Sequence, residues 1–414
     1  MDRIVDSGSS GWGSIPHGRT NKKAHMRLPV IIAIIVALSC EAPSAIAQTR
    51  SLNASEAAAL NLPDPLVFNN GKRVRNARQW TNRRRQEVLD IFSEHMYGKV
   101  PAAPEGMHFK TISEETVYDG LATRRTVRIF LDASEEHWFD MLMHVPNNVQ
   151  GRIPMFAGMN FWGNNETIEG GRNASRWPYE MILKSGFGVV TAWRDDIQKD
   201  NVKVVEGGLR EWYNTDGEWG HISEWAWALS RMMDYLETDP QVDAKKVAVM
   251  GCSRLGKTAL WAGANDTRFA LVISNCSGCC GAAISRRKKG ETFNAIAKTF
   301  PYWFVRDFQD FKGREDEFPA DQHWLAALIA PRPLYISSAV EDGWADPEGE
   351  WLCAHEAGPV YALFRKHTVG EAMPGVDSPD FGGDVGYHMR SGKHGTTAYD
   401  WEQYIAFTRR HFGM

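Results

Sequence analysis

Ser253 stands where a buried strand hands over to a helix. Residues 247–260 read VAVMGCSRLGKTAL: an apolar run, Gly251 and Cys252, the serine, Arg254, and then a helical pattern. Small residues flank such a turn because the strand and helix backbones approach closely there. The turn lifts the serine Oγ clear of the sheet, where it can attack an acyl carbon. The backbone N–H that follows lies at a helix N-terminus, where it suits a developing oxyanion. Gly256 comes three residues after the serine rather than two, so the segment departs from G-x-S-x-G. The plainer alternative is a serine that only caps the helix, but the strand–turn–helix context favours a nucleophile.

A serine nucleophile needs a base and an orienting acid, which on such a sheet follow in the order Ser, acid, His. The late histidines are His388 and His394. His394 lies in a Gly-containing loop just before a helical stretch at 398–407, which suits a side chain presented at a sheet edge. His388 falls at the end of the preceding strand, where a structural role is expected. For the acid, the strand at 334–338 runs into AVEDGWADP, in which Glu341, Asp342 and Asp346 compete.

Strand-like runs at 123–131, 138–145, 153–159, 186–192, 246–251, 270–274 and 332–338 must position these groups. Several, such as VAVMG and LVIS, are apolar throughout, as expected for strands covered on both faces. Helical patterns lie between them. Residues 222–236 place Trp225, Leu229, Met232 and Met233 on one face, and shorter helices are expected at 255–264 and 323–329. Residues 76–94 read as a surface helix. Alternating β and α units imply an open, mostly parallel sheet.

Composition narrows the function. The 414 residues carry 47 Lys+Arg against 51 Asp+Glu, a net charge of −4, which leaves no cationic excess for a nucleic-acid binder. Residues 28–39 (LPVIIAIIVALS) follow Lys22, Lys23 and Arg27 and precede Ala45-Ile46-Ala47, the pattern of a cleaved secretory signal. Met26 is an alternative start, and Cys40 sits in a poor lipobox. Without residues 1–47 the balance is 42 against 48, or −6. The expected locations are therefore secreted or periplasmic, with no membrane anchor after cleavage. Five cysteines remain (Cys252, Cys276, Cys279, Cys280 and Cys353), an odd number without zinc-finger spacing.

The segment 251–257 (GCSRLGK) resembles the G-C-S-R-x-G-K signature of the glucuronoyl esterases, carbohydrate esterase family 15. Residues 321–332 (DQHWLAALIAPR) resemble a second segment of that family. So do 341–347 (EDGWADP), Ser285-Arg286-Arg287 with Gly290-Glu291-Thr292, and Lys393-His394. The resemblance covers roughly residues 90–414. It implies an α/β-hydrolase, a three-layer sandwich that cleaves the ester between (4-O-methyl-)glucuronic acid of xylan and lignin alcohols. The implied chemistry proceeds through an acyl-enzyme, with no metal or other cofactor and no nucleic-acid partner, and the protein is expected to be a monomer. With the leader and the polar segment read above from the residues, the expected organisation is a signal peptide at 1–47, an N-terminal polar, helical segment packing on the domain at 48–100, and the α/β-hydrolase catalytic domain at 101–414.

Carried over residue by residue, Ser253 is the nucleophile, His394 the base and Arg254 an oxyanion aid. Lys257, Glu291 and Trp344 contact the glucuronoyl group. Many members carry the acid as Glu just after the strand that follows the nucleophile helix, but here Cys276 occupies that place, and a thiol cannot replace a carboxylate. The match to relatives that use a later acid selects Asp342, with Glu341 next. Cys353 resembles a position that is disulfide-bonded in some fungal members, with Cys279 or Cys280 as partner. The residue types agree with the chemistry: Arg254 adds a permanent cation beside the nucleophile, Lys257 lies one helical turn on, and Trp344 suits the apolar face of a pyranose. Two alternatives are a general carboxylesterase or acetyl-xylan esterase, and a carbohydrate-binding hydrolase fold with impaired catalysis.

Overall fold

The computed structural model describes residues 59–201, 208–213 and 218–414, so the leader expected at 1–47 lies outside the described residues. All of them belong to one compact unit, Thr49–Met414. The sheet has nine strands: β1 (His108–Val117), β2 (Ala122–Phe130), β3 (Trp138–Pro146), β4 (Ile153–Asn160), β5 (Gly188–Trp193), β6 (Val242–Cys252), β7 (Leu271–Asn275), β8 (Leu334–Ala339) and β9 (Val385–Arg390). Their order is β1-β2-β3-β5-β4-β6-β7-β8-β9. Pairing is antiparallel from β1 to β5 and parallel from β5 to β9. Strands β4, β7, β8 and β9 are buried at every residue, which explains why apolar runs such as LVIS in β7 show no polar alternation. Strand β1 (HFKTISEETV) was not expected. It is a solvent-washed edge strand with mostly exposed side chains, so no burial pattern marks it in the sequence.

The helices that matter for the site are α1 (Arg85–Phe92), α2 (His221–Thr238), α3 (Arg254–Asn265), α4 (Pro347–Glu356) and α5 (Ala398–Phe412). The register of the parallel half decides where chemistry can occur. Cys252 pairs with Asn275, Asn275 with Ser337, and Ser337 with His388. These four residues form one row, so the segments that leave the strands just beyond it emerge at the same sheet edge, the carboxyl end where open α/β sheets bind ligands.

Two helices differ from expectation. The α2 helix is buried nearly all round, not along one stripe, because it lies between the sheet and other helices. The segment expected as a surface helix at 76–94 runs helically from Ala77 to Tyr97, and its Trp80, Arg84, Val88, Phe92 and Met96 are buried. A strict spacing of four walks around an α-helix of about 3.6 residues per turn. Wider π turns at Trp80–Arg84 and Ser93–Tyr97 keep this stripe on one face. Buried Arg84 donates to Pro65 O (3.0 Å) and Asn69 Oδ1 (2.8 Å) and lies over the Trp324 ring. No helix among the described residues is long and apolar enough to cross a membrane.

Candidate active site

Ser253 has φ 61° and ψ −130°, a conformation that L-residues rarely adopt. It sits at the N-cap position of α3, but its side chain makes no capping hydrogen bond, so the hydroxyl is not used by the helix. Glycines make the turn possible. A Cβ on Gly251 would lie 1.9 Å from Leu255 O, and one on Gly256 would press on Asn275 O and the Ser277 side chain at 3.0 Å. Gly256 thus relieves a tight approach where α3 crosses the end of β7, which accounts for a glycine at this spacing.

Asn275 ties the serine turn to the histidine loop. Its carbonyl accepts from Ser253 N (2.8 Å), while its Nδ2 points to Gly395 O (3.4 Å) and Thr396 Oγ1 (3.3 Å). Beside this contact His394 Nδ1 meets Asp342 Oδ2 at 2.5 Å, with the aspartate 7% exposed and the imidazole open to solvent. The competing acids are elsewhere. Glu341 is exposed, and Asp346 pairs with Arg287 at 2.7 and 3.1 Å. His388 is fully buried between Asp400 (2.9 Å) and Tyr335 OH (2.9 Å), a structural position.

Arg254 is fixed by an acid that sequence reading missed. Its Nη1 bonds Asp200 Oδ2, which also receives Arg194 Nη2 at 3.1 Å. Asp200 Oδ1 accepts from Trp303 Nε1 (2.8 Å) and Tyr302 OH (3.1 Å). Burial pushes the Asp200 carboxyl up, but Arg254, Arg194 and Trp303 together outweigh it and hold it below the usual range. The Arg254 guanidinium also lies over the Trp303 and Phe300 rings at 4.6 and 5.1 Å. A cation at a helix N-terminus opposes the dipole, and this clamp is the reason it is tolerated. Asp200 lies 54 residues before Arg254 in a polar stretch that carries no motif.

Lys257 is 4% exposed; its Nζ donates to Ser277 O at 2.5 Å and lies 3.8 Å from Glu291 Oε2. An ammonium has three donors, and one of them is spent on the Ser277 carbonyl while the Glu291 carboxylate lies beyond hydrogen-bond reach. Glu291 N in turn donates to Trp344 O (2.9 Å), which places Lys257, Glu291 and the 59% exposed Trp344 in one chain of contacts. Cys276, with φ 44°, is buried at the end of β7, and burial pushes its thiol well above the ordinary range. It therefore supplies no charge to orient His394. The expected pairing of Cys353 with Cys279 or Cys280 is not present: all five cysteines among the described residues are free. Each is buried in the core, where a thiol packs as a small apolar group.

Two further groups hold the site and were also missed. Arg390 donates to the carbonyls of Ser391 (2.8 Å), Lys393 (2.7 Å) and Gly395 (2.6 Å), cradling the loop on both sides of His394. Its Nε rests on Asp400 (2.8 Å), the capping-box acid of α5. Glu350, fully buried on α4, accepts from Gly278 N (2.9 Å), Ser277 Oγ (3.2 Å) and Ser338 Oγ (2.6 Å). It thus joins the ends of β7 and β8, and burial pushes its carboxyl up to about 8. The 321–332 segment is structural. Asp321 accepts from Ser285 N and Arg286 N, and Arg332 donates to the carbonyls of Gly263, Asp266 and Phe269.

A family model described as "Glucuronyl esterase, fungi" matches residues 134–364. A carbohydrate esterase from an unknown prokaryotic organism is 41% identical, spanning 93% of this chain and 98% of that protein. A 4-O-methyl-glucuronoyl methylesterase of Wolfiporia cocos is 31% identical, spanning 79% of this chain and 75% of that protein. Among solved structures, a glucuronoyl esterase from Solibacter usitatus superposes with a TM-score of 0.81 at 40% identity, covering 85% of this chain and 98% of that one.

Proposed function

The chain belongs to the glucuronoyl esterases of carbohydrate esterase family 15 and is a carboxylic ester hydrolase with the α/β-hydrolase fold; from that premise we propose that it is a secreted serine esterase acting on esters between (4-O-methyl-)glucuronic acid of xylan and lignin alcohols. Ser253 Oγ attacks the uronate carbonyl carbon while His394 Nε2 takes its proton. The carbonyl oxygen becomes an oxyanion beside the Arg254 cation and the N–H groups at the start of α3. The intermediate collapses as His394 returns the proton to the departing alcohol, leaving a glucuronoyl ester on Ser253. Water, deprotonated by the same imidazole, repeats the sequence and frees the uronic acid. Asp342 holds the Nδ1–H tautomer so that Nε2 faces the reaction, and it stabilises the imidazolium.

The observation that carries this reading is the 2.5 Å contact of His394 Nδ1 with Asp342 at the sheet edge where the strained, uncapped Ser253 turn emerges. Lys257 and Glu291 bind the sugar hydroxyls, and Trp344 stacks on the ring. The exposed His394 and Trp344 suit a site that must admit one residue of a polymer. Export through the 1–47 segment and action as a monomer are part of the same proposal. Ser253→Ala should abolish hydrolysis of benzyl glucuronate. The wild-type chain should also prefer glucuronate methyl ester to p-nitrophenyl acetate; retained activity in the variant, or the reverse preference, refutes the reading.

A further inference from the structure

We propose that Cys276, Asp342 and His394 form a capture site for a thiophilic divalent cation, Zn2+ or Cd2+, and that its binding switches the esterase off. One donor atom from each residue lies within 4.8 Å of the other two. Sulfur, imidazole nitrogen and carboxylate oxygen are the mixed donor set that zinc accepts, with water in the fourth position. The site exists because Cys276 stands at the end of β7: a carboxylate there would give an acid–histidine cluster without the soft ligand.

The three donors are near enough for small side-chain shifts to bring them round one ion. Metal bonds of roughly 2.0–2.3 Å put donors about 3.4–3.8 Å apart, so the 2.5 Å Nδ1···Oδ2 contact must open by about 1 Å. Cys276 is the fixed ligand, its N–H bonded to Ser337 O at 2.7 Å. His394 is the adjustable one: its side chain is 42% exposed, which also gives the ion access from solvent. Gly392 and Gly395, with φ +91° and +140°, flank it.

The charges and protons balance. The cation replaces the Cys276 thiol proton, which leaves to solvent. Thiolate, carboxylate and a divalent ion sum to zero, so burial does not oppose the filled site. With the metal on Nδ1, the neutral imidazole carries its proton on Nε2 and has no lone pair for Ser253. The metal binding stands on the geometry alone, whereas the inhibition rests on the proposed role of His394 as base.

The test has two readouts. Zn2+ inhibition of benzyl glucuronate hydrolysis is measured for wild type, Cys276→Ser and the double variant Cys279→Ser/Cys280→Ser, each normalised to its own metal-free rate. The double variant controls for the other close thiol pair, whose sulfurs lie 3.8 Å apart. Cys276→Ser should need at least about 10-fold more Zn2+, since losing a ligand costs no less than losing a group that orients one, and the double variant should match wild type. Independently, Cd2+ is titrated into Ser253→Ala protein, which turns nothing over. The thiolate–cadmium absorption band should appear there and be lost when Cys276→Ser is added. Equal Zn2+ sensitivity in Cys276→Ser and wild type, or an unchanged cadmium band, overturns the site. If wild type hydrolyses no glucuronate ester, the functional reading fails, while the cadmium titration still decides the site.

Discussion

Replacing Asp200 by Asn tests how the cation beside the nucleophile is held. The carboxylate is 1% exposed and answers two guanidiniums through Oδ2 and two neutral donors, Trp303 and Tyr302, through Oδ1. An amide can keep its oxygen toward Trp303 and Tyr302, but its NH2 then faces Arg254 and Arg194, donor against donor. Removing one partner of a buried ion pair costs about 3–5 kcal/mol, and the 26% exposure of Arg254 places this change at the lower end, near 3 kcal/mol. Catalysis has its own scale, because an oxyanion donor is worth about 10²–10³ in kcat. Asp200→Asn should approach that loss as Arg254 swings away from the carbonyl oxygen. KM should change little, since the role proposed for Arg254 is to meet the charge that develops in the transition state. The acid limb of stability should change as well. Asp200 has its folded pKa below the unfolded value of about 3.9, so its contribution is present above that value and is lost as pH falls through the lower, folded one. The variant's Tm should therefore fall less steeply than wild type's in acid. The assay is kcat and KM on benzyl glucuronate for Asp200→Asn, Arg254→Ala and the double variant, with thermal melts at each pH. The double variant should lose no more than Arg254→Ala alone. Additive losses, or wild-type kcat in Asp200→Asn, would refute the clamp.

Two other changes follow from the same contacts. Asp342→Asn should lower kcat by about 10⁴ through the wrong imidazole tautomer, whereas Glu341→Gln, at an exposed side chain, should stay near wild type; comparable kcat values in the two would reject Asp342 as the acid. Glu350 has its folded pKa raised to about 8, so the folded state holds a proton that the unfolded chain releases, and wild-type stability falls as pH rises from about 4.5 to 8. Glu350→Gln mimics the protonated acid, so its Tm should match wild type near pH 4 and exceed it by a margin that grows up to about pH 8, on melts across that range; parallel curves for the two proteins would contradict a buried, proton-holding Glu350.

The sequence by itself determined the parts of this protein whose cause is local. Apolar runs such as VAVMG and LVIS fix the buried strands, because a strand covered on both faces has no polar positions to alternate. Gly251, Ser253 and Gly256 mark the strained turn, because a side chain at 251 would collide with the backbone across it and one at 256 would press tightly on the end of β7. The order Ser253, acidic loop, His394 follows from β6, β7, β8 and β9 lying side by side in chain order, all parallel. Tertiary structure alone decided what depends on distance across the chain. It separated Asp342 from Glu341 and Asp346, neighbours of the same chemistry, because only one carboxylate leaves its loop toward the imidazole while another is drawn off by Arg287. It supplied Asp200 for Arg254, Arg390 for the histidine loop and Glu350 between two strand ends, all contacts in which one charged side chain satisfies groups from several segments. It also kept the stripe from Trp80 to Met96 on one face through π turns, and left the edge strand β1 polar. Hydrophobic burial imprints a period on the sequence; a single buried charge imprints none, since its partners are chosen by the folded geometry.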